Sequence, residues 1–521
     1  MNSTTLARDI VRQLIEEGIS DFVLSPGSRN APLSIALHEA ENAGLINLYV
    51  RIDERGAAFF ALGLSKASDN YVAVICTSGT AAANFHPATL EAYHSANKLL
   101  VITADRPAHL RRTGASQTTL QVGLLEPVST LDISTSISIS KLLTTGPVHL
   151  NIQFDEPLLS DDRTDWLAGW APQTKKYPTE ESGELFYPKA RGVMVIGHDR
   201  AGIDAGALSR FADSLGWPII AEDPLSFPTS TAHAALILSD PGIRAAVKPD
   251  EIIVVGRPTL SRSIAALIKE CEAVTIIDPR ALTVDTERNA KQIFSAIPDG
   301  QVSPDLAWLK LWRDLAKQAK NCLQLGWSEQ SAVSTIAANI PEGAALFVGS
   351  SRPVRDIEAF AKPRSGIYTF ANRGLAGIDG NISCAFGIAE KYERSYAIMG
   401  DITFLHDISA LINPSTANLT IFIIDNNGGG IFSTLAQAGV DGFEKIFGTP
   451  HNLELERVIQ GFGGQVTKVK TDSDLLHGLR HEAKGLNFVV VEVPDRETNA
   501  SMLKEITQSL VSAVRIGSNL A

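Results

Sequence analysis

Two short clusters in the C-terminal third of the chain have the composition of a divalent-cation site. Gly400-Asp401 follows one apolar segment, and Asn426-Asn427-Gly428 follows the next. Neighbouring strands of a parallel sheet bring such loops together at one edge. A carboxylate, an amide oxygen and a glycine carbonyl are hard ligands that suit Mg²⁺, which leaves its other positions to phosphate and water. The pattern therefore predicts a magnesium–diphosphate site formed by Asp401, Asn426 and Gly428.

The elements that must position these clusters alternate between strand-like and helix-like patterns. Short β-rich runs at 395–399 and 419–424 precede the two clusters, and a helix is predicted between them over about 404–411. The same alternation runs through the rest of the chain. It favours an α/β fold of parallel sheets flanked by helices.

The chain divides into three α/β blocks, which we place at residues 1–175, 190–325 and 328–521. A polar segment with several Pro and Gly residues, 170–192, is predicted to link the first block to the second. The middle block has a strand, a helix and a strand in Rossmann-like order. It lacks the G-x-G-x-x-G fingerprint, so nucleotide binding is not predicted there.

The bulk properties agree with a large globular enzyme. The 521 residues carry a net charge of −12, which argues against non-specific binding to nucleic acid. The sequence has no continuous apolar run long enough for a membrane span, and its N-terminal segment has helical spacing rather than a signal-peptide pattern. The four cysteines are scattered, which predicts neither a zinc site nor disulfides and fits a reducing compartment.

A second candidate site lies in the first block, where Asp53 and Glu54 open an apolar helix. The helix dipole alone would favour carboxylates there by roughly 0.3–1 kcal/mol, so the segment by itself does not require a catalytic role. Loops at predicted strand ends also hold several arginines, and arginine binds carboxylates bidentately. Together they suggest a polyanionic substrate. The arginines of these loops are Arg29, Arg106, Arg352, Arg355 and Arg373.

Six segments together resemble one family of enzymes. The Gly-Asp to Asn arrangement resembles the thiamine diphosphate motif. The segments SPGSRNAPL, DERGAAFFALGLSKAS, TSGTAAANFHPATLEA, ITADRP, ANRGLAGIDGNIS and GDITFLHDISAL…NNGGGIF are similar to the 2-succinyl-5-enolpyruvyl-6-hydroxy-3-cyclohexene-1-carboxylate synthases of menaquinone biosynthesis. The resemblance covers both terminal blocks in order and the middle block in architecture only. It implies a pyrimidine-binding domain (1–175), a central Rossmann-like domain (190–325) and a diphosphate-binding domain (328–521).

The resemblance also implies an activity and its partners. The family decarboxylates 2-oxoglutarate on thiamine diphosphate with Mg²⁺ or Mn²⁺, and adds the succinyl unit to isochorismate in a conjugate addition. Both substrates are dicarboxylates, which would explain the arginines. We accordingly expect a cytoplasmic homodimer or homotetramer with active sites at subunit interfaces, and no nucleic-acid or membrane partner.

Residue roles follow from the resemblance position by position. Glu54 is expected to contact the pyrimidine nitrogen N1′, while Asp401, Asn426 and the carbonyl of Gly428 hold the metal. The expected cofactor contacts are Ser351, Gly377, Ile378, Gly400 and Ile431. The expected substrate contacts are Ser28, Arg29, Arg106, Gln117, Arg262, Arg355 and Arg373, with Phe432 and Leu435 as an apolar wall. The chain departs from the family pattern at Asp425, where many members have Asn, and at Ser261, where members have Lys.

Two alternatives remain at this stage. One is another thiamine diphosphate enzyme, of the acetohydroxyacid synthase or 2-keto acid decarboxylase type, whose substrates need fewer cationic groups. The other is a binding or regulatory homologue without activity, which loss of Glu54 or Asp401 would have favoured; both are present. No histidine is expected to act as acid or base, and His406, the nearest in sequence to the motif, is predicted to be an ordinary helix residue.

Overall fold

The computed structural model describes residues 2–139, 143, 146–162, 164–173, 183–280, 285–479 and 484–518. Three sheets with parallel pairing, two of six strands and one of five, confirm the predicted α/β class. Residues 174–182 of the predicted linker lie outside the described residues. None of the helices in the described ranges combines the length and the apolar character that crossing a membrane requires.

The first sheet has the strand order β2-β1-β3-β4-β6-β5. Its strands are β1 (Asp21–Leu24), β2 (Asn47–Val50), β3 (Val72–Cys76), β4 (Leu99–Asp105), β5 (Thr130–Ile133) and β6 (Val148–Gln153). The helices of this block are α1 (Ser3–Glu16), α2 (Ala31–Asn42), α3 (Glu54–Ser68), α4 (Thr80–Asn84) and α5 (His86–Ser95). The central strands β1, β3 and β4 are buried along their whole length, as continuous apolar runs in parallel sheets are.

The second sheet has the order β12-β11-β10-β8-β9, beside a two-stranded pair of β7 and β13. The strands are β7 (Leu185–Phe186), β8 (Gly192–Ile196), β9 (Ile219–Ala221), β10 (Glu251–Val255), β11 (Val274–Ile277), β12 (Ala290–Phe294) and β13 (Asp299–Gly300). The helices are α6 (Ala205–Leu215), α7 (Ala234–Ile237), α8 (Pro241–Ala246), α9 (Arg262–Glu270) and α10 (Leu306–Cys322). The predicted strand–helix–strand unit is therefore β10-α9-β11.

The third sheet has the order β15-β14-β16-β17-β19-β18. The strands are β14 (Ala345–Val348), β15 (Tyr368–Phe370), β16 (Ser395–Gly400), β17 (Leu419–Asp425), β18 (Gln465–Val469) and β19 (Leu486–Glu492). The helices are α11 (Glu329–Asn339), α12 (Arg352–Phe360), α13 (Asn381–Ala389), α14 (Asp401–His406), α15 (Leu455–Gly461), α16 (Asp472–Leu479) and α17 (Arg496–Ser518).

One predicted helix was placed wrongly. We expected a helix over 404–411, but α14 begins at Asp401, directly after β16, and ends at His406. A separate 3₁₀ segment, Ile408–Ile412, follows. Asp407 separates the two, and its buried carboxylate accepts a hydrogen bond from the backbone N–H of Ser383 at 2.7 Å.

The chain forms two compact units, and the first contains more than the first block. It also includes Asp379–Lys391, and therefore α13, and His406–Ser415. In this unit α13 packs closely on α3 because two glycines face the other helix. A Cβ atom on Gly63 would lie 2.2 Å from the carbonyl oxygen of Cys384, and one on Gly387 would lie 2.1 Å from that of Phe60. The second unit holds the second and third sheets.

Candidate active site

The two predicted metal-binding clusters meet in the second unit. Strands β16 and β17 are parallel neighbours, with Gly400 opposite Ile424, so both clusters emerge at the same sheet edge. The carboxylate Oδ2 of Asp401 accepts the backbone N–H of Gly428 at 2.8 Å. The juxtaposition predicted from the two strand ends is thus confirmed.

Gly428 occupies a position that no other residue type would fit. Its φ is +140°, and a Cβ atom there would lie 2.2 Å from the carbonyl oxygen of Gly448 and equally close to Arg496. Arg496 donates to the carbonyl oxygens of Asn427, at 3.0 Å, and of Gly448, at 2.5 Å. The guanidinium therefore fixes the backbone that carries the second cluster.

Asn426 presents a free oxygen inside the protein. Its Nδ2 donates to Oε2 of Glu329 at 3.1 Å. Its Oδ1 is buried and has no hydrogen-bond partner in the part of the chain that the structure describes. A buried amide oxygen without a partner is costly unless something else binds it, and a cation is such a partner.

His451 and Asp425 also reach Asp401, and sequence reasoning missed this histidine. Nε2 of His451 lies 3.2 Å from Oδ2 of Asp401 and 3.6 Å from Oδ1 of Asp425. One oxygen or nitrogen atom from each of the three residues lies within 4.8 Å of the others. Burial, and then the charge of Asp401, raises the pKa of Asp425.

Most of the predicted cofactor-binding residues line one cavity in the second unit. Ser351, Ile378, Gly400, Asp401, Asn426, Gly428 and Ile431 all line it, and Phe432 lines it as well. Gly377 and Leu435, both within the described ranges, are outside this lining. Leu435 follows the 3₁₀ segment Gly430–Thr434, which carries Ile431 and Phe432.

The N-terminus of α12 opens onto this cavity. Ser351, the residue before α12, has φ +77° and ψ −123°, an unfavourable conformation for a residue with a side chain. Arg355, one turn into the helix, donates to the carbonyl oxygen of Ser351 at 2.6 Å and holds the turn in place. A helix N-terminus attracts anions, so this wall of the cavity suits phosphate oxygens.

These features fit a Mg²⁺–diphosphate group. The donor set consists of hard oxygen atoms, Asn426 has an unsatisfied oxygen, and a helix N-terminus faces the same cavity. The cation would lie near Asp401 and Asn426, which leaves the diphosphate beside Ser351.

Glu54 lies in the first unit, as the first residue of α3. Asp53 caps the helix by accepting the N–H of Arg55 at 3.1 Å, which leaves the partly buried Glu54 side chain free of capping. Glu54 approaches the end of β3: burial first, and the charge of Glu54 second, raise the pKa of the Cys76 thiol. The carboxylate is therefore placed at the carboxyl edge of the first sheet.

Three of the predicted substrate residues of the first unit, Arg29, Arg106 and Gln117, lie close together, and Oε1 of Glu156 lies 3.2 Å from Nη1 of Arg29. Arg106 donates through Nη1 to the carbonyl oxygen of Gln117 at 2.7 Å and to Oγ of Ser78 at 3.0 Å. Burial, followed by the neighbouring charge of Arg29, lowers the pKa of Arg106. Ser28 is exposed in the loop that carries Arg29. Ser78, which orders this group, was not predicted.

In the second unit Arg355 and Arg373 are close together. Burial, and then the charge of Arg373, lowers the pKa of Arg355. Arg373 donates to Oγ1 of Thr259 at 2.7 Å. Arg262 is exposed and begins α9, three residues after Thr259, with Ser261 as the cap position before it. The middle block therefore contributes a loop beside Arg373, and the role of Arg262 stays a prediction.

The chain matches three families along its length. These are "Thiamine pyrophosphate enzyme, N-terminal TPP binding domain" over residues 4–124, "Middle domain of thiamine pyrophosphate" over 160–348, and "Thiamine pyrophosphate enzyme, C-terminal TPP binding domain" over 352–493. A solved benzoylformate decarboxylase from Polynucleobacter necessarius has a similar fold. Its TM-score is 0.66 at 16% identity, covering 95% of this chain and 99% of that one. The fold and the site thus define a thiamine pyrophosphate enzyme.

Relatives that align over nearly the full length of the chain identify one family within this class of enzymes. The chain is 38% identical to a 2-succinyl-5-enolpyruvyl-6-hydroxy-3-cyclohexene-1-carboxylate synthase from Nocardioides sp., covering 98% of both chains. Identity is 35% with the Thermobifida fusca synthase and 34% with that of Saccharopolyspora erythraea, each covering 98% of this chain and at least 99% of the relative. The chain belongs to the 2-succinyl-5-enolpyruvyl-6-hydroxy-3-cyclohexene-1-carboxylate synthase family.

Proposed function

We propose that this protein decarboxylates 2-oxoglutarate and adds the succinyl unit to isochorismate, giving 2-succinyl-5-enolpyruvyl-6-hydroxy-3-cyclohexene-1-carboxylate and CO₂ in menaquinone biosynthesis. The observation that carries the proposal is full-length similarity to synthases of that name. The paired arginines in both units add support, because both proposed substrates are dicarboxylates.

The cofactor, thiamine diphosphate, supplies the carbanion chemistry when bound, and the protein supplies position and charge. Asp401, Asn426 and the Gly428 carbonyl would hold Mg²⁺ or Mn²⁺. Ser351, Gly377, Ile378, Gly400 and Ile431 would contact the cofactor. The ionised carboxylate of Glu54 can only accept a hydrogen bond. It would therefore hold a proton at N1′ of the pyrimidine ring.

The predicted arginines would bind the substrate carboxylates. Arg29 and Arg106 belong to the first unit, together with Ser28 and Gln117, and Arg355 and Arg373 to the second. Guanidinium groups orient a carboxylate through two parallel hydrogen bonds, which restricts the reacting carbon to few positions. Arg262 would add a further carboxylate contact, and Phe432 and Leu435 an apolar wall.

The resemblance also supports a wider set of proposals. Residues 1–175, 190–325 and 328–521 would be the pyrimidine-binding, central and diphosphate-binding domains. The protein would be cytoplasmic, and a homodimer or homotetramer with active sites at the subunit interfaces. Light scattering coupled to size exclusion tests the assembly, and a monomer at assay concentration would contradict it.

The activity is tested by supplying the purified protein with 2-oxoglutarate and isochorismate, with and without thiamine diphosphate and Mg²⁺. Product and CO₂ are expected only when all four are present. The second candidate, a pyruvate-using enzyme of the acetohydroxyacid synthase or 2-keto acid decarboxylase type, is tested by replacing 2-oxoglutarate with pyruvate. Faster CO₂ release from pyruvate would reject the proposed function in favour of that class.

A further inference from the structure

The orientation of the Asn426 amide is set by one buried carboxylate. Asn426 and Glu329 are both buried, and Nδ2 of Asn426 donates to Oε2 of Glu329 at 3.1 Å. Burial raises the pKa of Glu329, and the guanidinium of Arg352, 3.4 Å from Oε1, opposes this effect and favours the ionised form. An ionised carboxylate can only accept hydrogen bonds, so it attracts the NH₂ side of the amide and repels the oxygen. Oδ1 of Asn426 therefore points away from Glu329, and it finds no hydrogen-bond partner among the described residues.

Glu329 is itself held from several sides. It is the first residue of α11, and its backbone N–H donates to Oδ1 of Asn499 at 3.0 Å. Its second carboxylate oxygen, Oε1, lies 3.4 Å from Nε of Arg352 and accepts from Nε2 of Gln330 at 3.3 Å. Glu329 thus cannot turn to follow a different amide orientation without breaking these contacts.

We infer that Glu329 is a positioning residue for the metal, which fixes the Asn426 amide with its oxygen toward the cation. The inference rests on the proposed function, because it takes Asn426 as a metal ligand. A reversed amide would place NH₂ hydrogens against the cation and the oxygen against the carboxylate. Partners that orient metal ligands from outside typically change metal affinity by about 10–100-fold.

Glu329→Gln tests this orientation with little change in shape. The oxygen of the introduced amide would face Arg352, because the guanidinium only donates. Its NH₂ group would then face Asn426 and favour the reversed orientation, with NH₂ toward the metal. We expect Mg²⁺ to bind about 10–100-fold more weakly in calorimetry of the full chain with saturating thiamine diphosphate.

In the double variant Glu329→Gln/Asn426→Asp the hydrogen bond between the two side chains is restored, with the donor and the acceptor exchanged. The introduced amide would donate to one oxygen of the introduced carboxylate, and the other oxygen would face the cation. We expect Asn426→Asp to raise Mg²⁺ affinity at least tenfold more in the Glu329→Gln background than in the wild type. Equal factors in the two backgrounds would contradict the inference.

Two further variants separate the possible failures. Glu251→Gln removes another buried carboxylate of the same unit, which accepts from the backbone N–H of Lys189 at 2.9 Å, and should leave Mg²⁺ affinity within twofold. Asp401→Ala should abolish Mg²⁺ binding. If Asp401→Ala binds Mg²⁺ normally, the proposed metal site fails.

If Asp401→Ala fails to bind Mg²⁺ while Glu329→Gln behaves like Glu251→Gln, the site stands and the role of Glu329 is rejected. Should Glu329→Gln not fold, the comparison moves to Glu329→Asp, which keeps the charge but withdraws it from Asn426. A Glu329→Asp affinity within twofold of wild type would then reject the role.

Discussion

Nε2 of His451 lies 3.2 Å from Oδ2 of Asp401, although the two residues are 50 positions apart in the chain. The other ring nitrogen, Nδ1, accepts the backbone N–H of Leu453 at 3.0 Å. The proton of a neutral ring must therefore sit on Nε2, which donates to Asp401. His451 thus orients a proposed metal ligand, as Glu329 orients Asn426.

Replacing His451 with Ala should weaken Mg²⁺ binding by about tenfold, because Asp401 would lose a hydrogen bond that fixes its carboxylate. Calorimetry with saturating thiamine diphosphate measures the change. His406→Ala is the control: His406 lies in the same helix as Asp401 but on the exposed side. Equal affinities for the two variants would show that the contact with His451 does not matter for the metal.

Glu54→Gln should fold and bind thiamine diphosphate, yet lose turnover by about 10²–10⁴-fold, as the loss of a group that positions a proton typically does. The helix cap at Asp53 is untouched by the change, so circular dichroism should match wild type. Glu41→Gln serves as control, because Glu41 lies on α2, where it accepts the backbone N–H of Leu48 at 3.3 Å and lies 3.8 Å from Nδ1 of His38. Turnover near the wild-type rate in Glu54→Gln would remove Glu54 from the mechanism.

Arg106→Lys should raise the KM for 2-oxoglutarate or isochorismate by about 10–100-fold, since a charged hydrogen bond contributes roughly 1.5–3 kcal/mol. Lysine keeps the charge but cannot contact Ser78, Gln117 and a carboxylate together as the guanidinium fork can. Steady-state kinetics with each substrate varied in turn measures the effect. Arg112→Lys, an exposed change in the same loop, should leave both KM values as they are. An unchanged KM for both substrates in Arg106→Lys would contradict the assignment.

Sequence analysis predicted those residues of the site whose position follows from the residues next to them in the chain. Asp401 and Asn426 each follow the strand that carries them, and the parallel pairing of those strands could be anticipated from the apolar runs. His451 and Glu329 carry no such signal. They reach the site through tertiary contacts, from a loop 50 residues after Asp401 and a helix start 97 residues before Asn426. A single sequence does not reveal which polar residues, far apart in the chain, will be buried against each other.

The helix after β16 illustrates the same limit at short range. Its apolar spacing predicted a helix, but its start depends on Asp401, whose carboxylate accepts the N–H of Ile402 at 2.7 Å. Its end depends on Asp407, whose carboxylate accepts a hydrogen bond from the backbone N–H of Ser383. The two ends of this helix are therefore set by polar contacts, which the apolar periodicity of the sequence does not reveal.

A buried histidine in the first unit gives a prediction on pH and stability. His149 is fully buried between β4 and β5, with Nε2 2.8 Å from Oγ1 of Thr103 and Nδ1 2.9 Å from Oγ1 of Thr130. The Thr103 hydroxyl donates to Asn151, so it must accept from Nε2, and the Thr130 hydroxyl can then donate to Nδ1. This network satisfies a neutral ring, and protonation of Nδ1 would break it.

Burial lowers the pKa of His149 from its ordinary 6.5 to about 4. Between pH 6.5 and pH 4 the unfolded chain therefore binds the proton and the folded chain does not, so the free energy of unfolding should fall as pH drops through this window. The difference of 6.5 − 4 in pKa corresponds to about 3 kcal/mol. His149→Gln, which keeps one donor and one acceptor, should remove this contribution and make the fall in stability less steep than in the wild type, whereas His38→Gln, at an exposed histidine of the same unit, should keep the wild-type slope. Urea unfolding of the full chain across the window measures the slope, and equal slopes for wild type and His149→Gln would refute the assignment.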